Sequence, residues 1–209
     1  MVKVKICGLT NADDYRLAQC FGADYSGFIF YSASPRAITP KSAAEIVEQC
    51  PGSNQRVGVF VNETIAAVRS VFALVKLDIV QLHGDESPQY CRELGLPFWK
   101  VLRPKTAANL AALEDFGTAI FLVDTFSPST RGGTGQRCAA ELVELAIKSE
   151  RAIVVAGGVS ADNIGEILSW RPFAVDVCSS LEAYPGKKDQ AKMTLFFKKL
   201  KEWRNDHER

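Results

Sequence analysis

The chain has 209 residues, 47% of them hydrophobic and 23% charged, which is ordinary globular usage and enough polypeptide to bury one good core. With 25 Lys and Arg against 24 Asp and Glu there is no field to draw in nucleic acid or anionic lipid, and no stretch reaches the roughly 18 apolar residues of a membrane span. Met1–Lys5 lacks the apolar core of a signal peptide, and Cys7, Cys20, Cys50, Cys91, Cys138 and Cys178 include no Cys-x-x-Cys pair, so the expectation is a cytoplasmic protein without a disulfide framework or zinc site.

Along the chain, short β-branched runs alternate with longer segments of helical spacing. The runs predict strands over Val2–Gly8, Tyr25–Tyr31, Arg56–Val61, Ile79–His83, Phe98–Arg103, Ala119–Thr125, Ala152–Ala156 and Ala174–Cys178. Thr10 or Asn11 caps the first helix ahead of Asp13 and Asp14, and Gly22 closes it in a left-handed turn. Ile65, Val68, Val71, Phe72 and Val75 form a stripe that packs on a sheet. Ser160 caps a helix carrying Ile164, Ile167 and Leu168; Asp189 caps the last, with Met193, Phe196, Phe197 and Leu200 as its core face. Lys187, Lys188, Lys192, Lys198, Lys199 and Lys201, interrupted by acids, read as a solvated basic helix face.

Strict alternation implies a parallel sheet with right-handed crossovers, open or closed. Eight units favour closure, which makes residues 1–209 a single-domain (β/α)8 TIM barrel with short loops, since about 250 residues is typical of that fold. Lys5, Gln81, Lys100 and Asp176 interrupt apolar runs, and a barrel interior can seat such groups in opposed pairs. Closure makes Lys5 and Asp176 neighbours, a structural pair because buried charges need partners.

Active sites of such barrels lie at the carboxyl ends of the strands. Cys7-Gly8, His83-Gly84-Asp85, Asp124-Thr125, Gly157-Gly158 and Ser179-Ser180 all fall there. Gly157 and Gly158 after strand 7, facing Ser179 and Ser180 after strand 8, form a candidate phosphate site in which bare backbone N–H groups approach an oxyanion. Asp124 is an ionisable group delivered by an apolar strand, although a loop-bracing Asp fits as well. Cys7 is equally consistent with a reactive thiol and a small buried hydrophobe. Arg36, beside Pro35, suits a carboxylate ligand or a solvated loop. The eleven residues Thr125–Gly135 form a long βα connection able to fold over a substrate, or an idle surface loop.

Taken together, Lys5-Ile6-Cys7-Gly8-Leu9-Thr10, Ser34-Pro35-Arg36, Val80-Gln81-Leu82-His83-Gly84, Val123-Asp124-Thr125, Gly132-Gly133-Thr134-Gly135, Ala156-Gly157-Gly158-Val159, Val175-Asp176-Val177 and Pro185-Gly186-Lys187-Lys188-Asp189 resemble the phosphoribosylanthranilate isomerase family over nearly the whole chain. The resemblance implies an Amadori rearrangement of N-(5-phosphoribosyl)anthranilate in tryptophan biosynthesis, acting on a small phosphosugar with no metal or organic cofactor and no nucleic-acid or membrane partner. It implies Asp124 as general acid, Cys7 as general base, Arg36 on the anthranilate carboxylate, and Gly157, Gly158, Ser179 and Ser180 around the phosphate. A monomer is expected, with a dimer open. A thiol titrates near about 8.5 and a nearby carboxylate opposes its ionisation, so activity is expected to rise toward mildly alkaline pH.

The chain departs from the family pattern Asp-Val-Ser-Ser-Gly-Val-Glu at one place, reading Asp176-Val177-Cys178-Ser179-Ser180-Leu181-Glu182. The lost Gly bears on how closely the backbone at Ser180 approaches phosphate, and the Ser180 hydroxyl is the expected compensation. Two rivals are the histidine-pathway isomerase, which needs a second phosphate site not found between strands 3 and 4, and a catalytically silent phosphosugar-binding barrel.

Overall fold

Each β-branched run forms a strand, slightly shifted or trimmed at its ends: β1 (Lys3–Ile6), β2 (Tyr25–Ile29), β3 (Gln55–Phe60), β4 (Ile79–Leu82), β5 (Phe98–Leu102), β6 (Ile120–Asp124), β7 (Ala152–Ala156) and β8 (Ala174–Val177). Neighbours pair in parallel and β8 pairs back onto β1, with Lys5 beside Asp176, so the sheet closes in sequence order into an eight-stranded barrel. The computed structural model describes residues 1–104, 106, 110, 116–118, 120–124, 135–149 and 151–207. The expected lid, residues 125–134, lies outside them, as do positions 119 and 125 at the expected ends of strand 6.

The helices are α1 (Ala12–Cys20), α2 (Pro40–Gln49), α3 (Ile65–Val75), α4 (Pro88–Leu94), α5 (Gly135–Ile147), α6 (Ile164–Ser169) and α7 (Gln190–His207). Local chemistry starts them. Asn11 Oδ1 accepts the Asp14 N–H, and Thr39, Thr64 and Ser87 cap α2, α3 and α4 in the same way. Asp189 Oδ1 accepts the Lys192 N–H at 3.0 Å to begin α7, and Gly22, at φ +79°, turns the chain out of α1. Ser160 does not cap α6 directly. Its Oγ accepts the Asp162 N–H, while Asn163 reaches back to the Ser160 N–H and the Gly158 carbonyl, so this polar turn precedes the helix.

The two-residue pleat divides the barrel into two apolar clusters. Tyr25, Val57, Ile79, Trp99, Val101, Leu122, Val154 and Ala174 fill the interior, while Val4, Ile6, Phe28, Phe60, Val80, Phe121, Val155 and Val175 face the helices. The same alternation corrects the reading of Lys100 as an interior group. Trp99 and Val101 on either side of it point inward, so Lys100 points out, where its Nζ meets Glu86 Oε2 at 2.6 Å and the Gly84 carbonyl at 2.7 Å.

A second correction concerns the terminal lysines. After β8 come a 3-10 turn (Ser179–Leu181) and a small antiparallel hairpin, β9 (Glu182–Tyr184) with β10 (Lys187–Lys188). Lys187 and Lys188 therefore belong to this hairpin and not to the helix face. Buried Asp14 pins it by accepting from Lys187 Nζ at 2.6 Å and the Lys188 N–H at 2.7 Å, a role beyond the first-turn charge read from sequence. Lys188 is itself buried against Glu182, whereas Lys198 and Lys199 do lie exposed beside Glu202. Among the described residues no helix is long and apolar enough to cross a membrane.

Candidate active site

The carboxyl ends of the strands gather the expected residues on one rim. Going round the barrel from β6, the order is Asp124, the Gly157-Gly158 turn after β7, the Ser179-Ser180 turn after β8, and Cys7 after β1. Acid and base candidates thus flank the phosphate candidate on the short arc, and Arg36 follows beyond β2.

Cys7 is buried, and its N–H donates to the Val177 carbonyl at 2.9 Å. Two glycines make room around it. A Cβ on Gly27 would lie 2.8 Å from Cys7 Sγ and 3.1 Å from Lys5 Cε, and a Cβ on Gly8, whose φ is +72°, would lie 2.8 Å from Arg36 Cδ and 3.0 Å from Cys178 Sγ. Gly27 in mid-strand signalled such a close approach and was not read that way from the sequence. Beneath Cys7, the fully buried Lys5 meets Asp176 Oδ2 at 2.8 Å. Burial alone lowers an ammonium pKa, but Asp176 and Cys7 outweigh it and hold Lys5 above its ordinary value. Burial pushes Asp176 up to about 6, against the pull of Lys5. Asp176 Oδ1, like Gln81 Oε1 of the same interior, has no hydrogen-bond partner among the described residues.

These surroundings change the expected acidity of the thiol. A hydrogen bond from the Cys178 thiol is the largest influence on Cys7; burial opposes ionisation, and the Lys5 and Lys188 ammonium groups favour it, with the net result that Cys7 lies well below the ordinary thiol range. Cys178 is pushed up in return, first by Cys7 and then by burial. The sequence reading placed a carboxylate against the thiol. Here the Asp176 carboxylate is engaged by Lys5 at 2.8 Å, and the two ammonium groups act on the thiol in the opposite direction to that carboxylate.

Across the mouth, Asp124 ends β6, about one-fifth exposed, with its Oδ2 3.5 Å from His83 Nε2. Gln81 Nε2 stands 3.2 Å from His83 Nδ1. The Gln81 amide and the Asp124 carboxyl group thus face the two ring nitrogens of His83. His83 stood among the rim residues in the sequence, but its partnership with Asp124 joins β4 to β6 and is visible only in space.

Arg36 is neither solvated nor wholly free for a ligand. Its Nε lies 2.9 Å from both carboxylate oxygens of Glu182, and its Nη2 lies 2.7 Å from Oε2. Lys188 Nζ reaches Glu182 Oε1 at 3.0 Å. Burial raises the Glu182 pKa, but Arg36 and Lys188 outweigh it and hold the carboxyl below its usual range. Glu182 was missed as a site residue. It grips one edge of the guanidinium, and the bonds described leave Nη1 for another acceptor.

At the candidate phosphate corner, Gly157 and Gly158 adopt φ of +84° and +75°, conformations that favour glycine, and among the described residues nothing lies within 4 Å of a Cβ placed on Gly158. Opposite, the 3-10 turn begins at Ser179, and the first N–H groups of such a turn have no partner within it. The Ser180 hydroxyl does not face that space. It donates to the Val159 carbonyl and ties the two turns together, so any compensation for the lost Gly falls to backbone N–H groups.

This arrangement sets an acid candidate and a base candidate on one rim with a candidate anion seat between them. The family model for N-(5'-phosphoribosyl)anthranilate isomerase matches residues 4–199. The chain is 44% identical to the N-(5'-phosphoribosyl)anthranilate isomerase of Pelobacter propionicus, with all of both chains covered. Among solved structures it is similar to the phosphoribosyl anthranilate isomerase of Thermotoga maritima, with TM-score 0.87, 36% identity, and 97% of this chain and 100% of the other covered. It is also similar to such an enzyme in complex with reduced 1-(o-carboxyphenylamino)-1-deoxyribulose 5-phosphate, with TM-score 0.84, 36% identity, and coverage of 97% and 100%. A match of this extent, on a closed barrel whose rim carries the motif residues, places the chain in the N-(5'-phosphoribosyl)anthranilate isomerase family.

Proposed function

We infer that the chain isomerises N-(5'-phosphoribosyl)anthranilate to 1-(2-carboxyphenylamino)-1-deoxyribulose 5-phosphate, the aldose-to-ketose step of tryptophan biosynthesis, with Asp124 as acid and Cys7 as base. One observation carries the assignment of roles: the phosphate corner of β7 and β8 lies between Asp124 at the end of β6 and Cys7 at the end of β1. A ribose anchored there by its 5-phosphate lies between the two groups, and its anthranilate end extends past β1 toward the Nη1 edge of Arg36.

Asp124, protonated, gives its proton to the ribose ring oxygen as the C1–O bond breaks, and the anilino nitrogen lone pair forms the iminium. The Cys7 thiolate takes the C2 proton, and that electron pair neutralises the iminium to an enolamine. Protonation at C1 and loss of the C2 hydroxyl proton give the ketone. Asp124 then regains a proton and Cys7 loses one. His83 faces the Asp124 carboxyl group, and the Lys5 ammonium favours the thiolate form of Cys7. Acid, base and phosphate seat come from one chain, so a monomer is a complete unit, in the cytoplasm where such a biosynthetic step belongs.

The test is turnover of freshly formed N-(5'-phosphoribosyl)anthranilate by the purified protein. Cys7→Ala and Asp124→Asn are each expected to lower kcat by about 10²- to 10⁴-fold, the usual contribution of a positioned acid or base. Undiminished turnover in either variant removes that residue from its role.

A further inference from the structure

Ile6 pairs with Val177 across the β1–β8 seam, and the Cys7 N–H continues the ladder to the Val177 carbonyl at 2.9 Å. Cys7 and Cys178 are therefore the next cross-strand neighbours, both directed to the barrel mouth by the pleat that points Lys5 and Asp176 inward below them. Each sulfur fills space that a glycine leaves free, since a Cβ on Gly27 would lie 2.8 Å from Cys7 Sγ and one on Gly8 would lie 3.0 Å from Cys178 Sγ. Both thiols are free. Among the described residues the other acceptor within reach of the Cys178 thiol is Glu182 Oε1, and at 3.9 Å from Sγ that is a weak contact for a carboxylate already bound by Arg36 and Lys188.

We propose that Cys178 is a positioning residue for the base: its thiol donates to the Cys7 sulfur, so that the substrate meets a thiolate held between a thiol donor and the Lys5 ammonium. The inference rests on the reading of Cys7 as the base. Charged groups face the pair from every side. Lys5 and Asp176 lie below it on β1 and β8, Arg36 beside it on the β2–α2 loop, and Glu182 and Lys188 above it on the hairpin. All of these persist when Cys178 is replaced, which isolates the contribution of its S–H. The raised acidity of Cys178's partner and the lowered acidity of Cys178 itself are what one proton shared between two sulfurs produces.

The experiment measures two quantities against pH in the full chain and in Cys178→Ala, Cys178→Val and Cys178→Ser: the rate of Cys7 alkylation by iodoacetamide, followed by peptide mass spectrometry, and kcat/KM. The wild-type alkylation midpoint is expected below that of an ordinary thiol. In Cys178→Ala and Cys178→Val both profiles move up by about one pH unit, the scale of one charge-assisted hydrogen bond. Cys178→Ser, which keeps a donor, stays close to wild type. Coincident profiles for wild type and Cys178→Ala, a serine variant shifted as far as the alanine variant, or a wild-type midpoint near about 8.5 would each overturn the proposal. Alkylation needs no substrate, so it separates this inference from the assignment of the reaction: a lowered Cys7 midpoint in a protein inactive on phosphoribosylanthranilate leaves the thiol pair standing and removes the reaction.

Discussion

Two buried ion pairs, one on each side of the same sheet, show how structural and functional charge differ. Outside the barrel, the Glu86 carboxylate is saturated: its oxygens accept from the Asn62 N–H at 2.9 Å, the Gly84 N–H at 3.1 Å and Lys100 Nζ at 2.6 Å. That pair ties the loops after β3 and β4 to β5 and has nothing left to offer. Inside, Lys5 and Asp176 meet at 2.8 Å, but Asp176 Oδ1 lacks a partner among the described residues and Lys5 also faces Cys7. A buried pair confers little net stability even when well made. The incompletely satisfied pair beneath Cys7 sets an ammonium group near that sulfur.

The largest effect that would test this contrast is on activity. Lys5→Met is expected to lower kcat/KM at neutral pH by about 10²-fold or more, with the acid limb of the pH profile displaced upward, because positioned acid–base groups contribute on that scale. Lys100→Met is expected to leave kcat/KM of the folded enzyme within about twofold, because general acid–base catalysis does not pass through it. Equal losses in the two variants would erase the distinction.

Stability should rank the other way, or at least equally. Removing one partner of a buried pair costs about 3–5 kcal/mol, so urea titration of Lys100→Met should show a loss of that size. Double variants sharpen the point. Lys5→Met with Asp176→Leu should recover much of the stability lost by Lys5→Met alone, without recovering activity. Lys100→Met with Glu86→Leu should recover little, because the Asn62 and Gly84 N–H groups are then orphaned at about 1–3 kcal/mol each. Similar recovery in both pairs would mean that the saturation of Glu86 does not matter.

The smallest expected effect lies at the rim. The Glu182 carboxyl is held below its usual range in the folded chain, so it contributes stability that is fully present above its unfolded value near about 4.3 and is lost as pH falls through its lower folded value. Urea midpoints between pH 5 and 3 should decline less steeply in Glu182→Gln than in wild type. The same variant, by freeing Arg36, should raise KM more than it lowers kcat.

Much of the architecture is legible in the sequence. Eight runs gave eight strands because strand-forming residues and caps act over a few positions, and Asn11, Gly22 and Asp189 did locally what their residue types imply. The Lys5–Asp176 contact followed from closure alone. What failed was what depends on direction or distance. Lys100 reads as inward although its flanking residues set the pleat, and Lys187 and Lys188 read as part of a helix because a hairpin of seven residues, Glu182–Lys188, has no periodicity to read. The hydrogen bond from the Ser180 hydroxyl to the Val159 carbonyl likewise joins two loops and is visible only in space.

By itself the sequence determined the barrel, the rim and the family, because hydrophobic period, turn residues and motif order are properties of neighbours along the chain. Only the tertiary structure decided which groups stand against one another there. Cys178 and Lys5 beside Cys7, His83 beside Asp124 and Glu182 behind Arg36 each join separate strands or loops, and the acidity of a thiol depends on the charges and donors within a few ångströms of it in space.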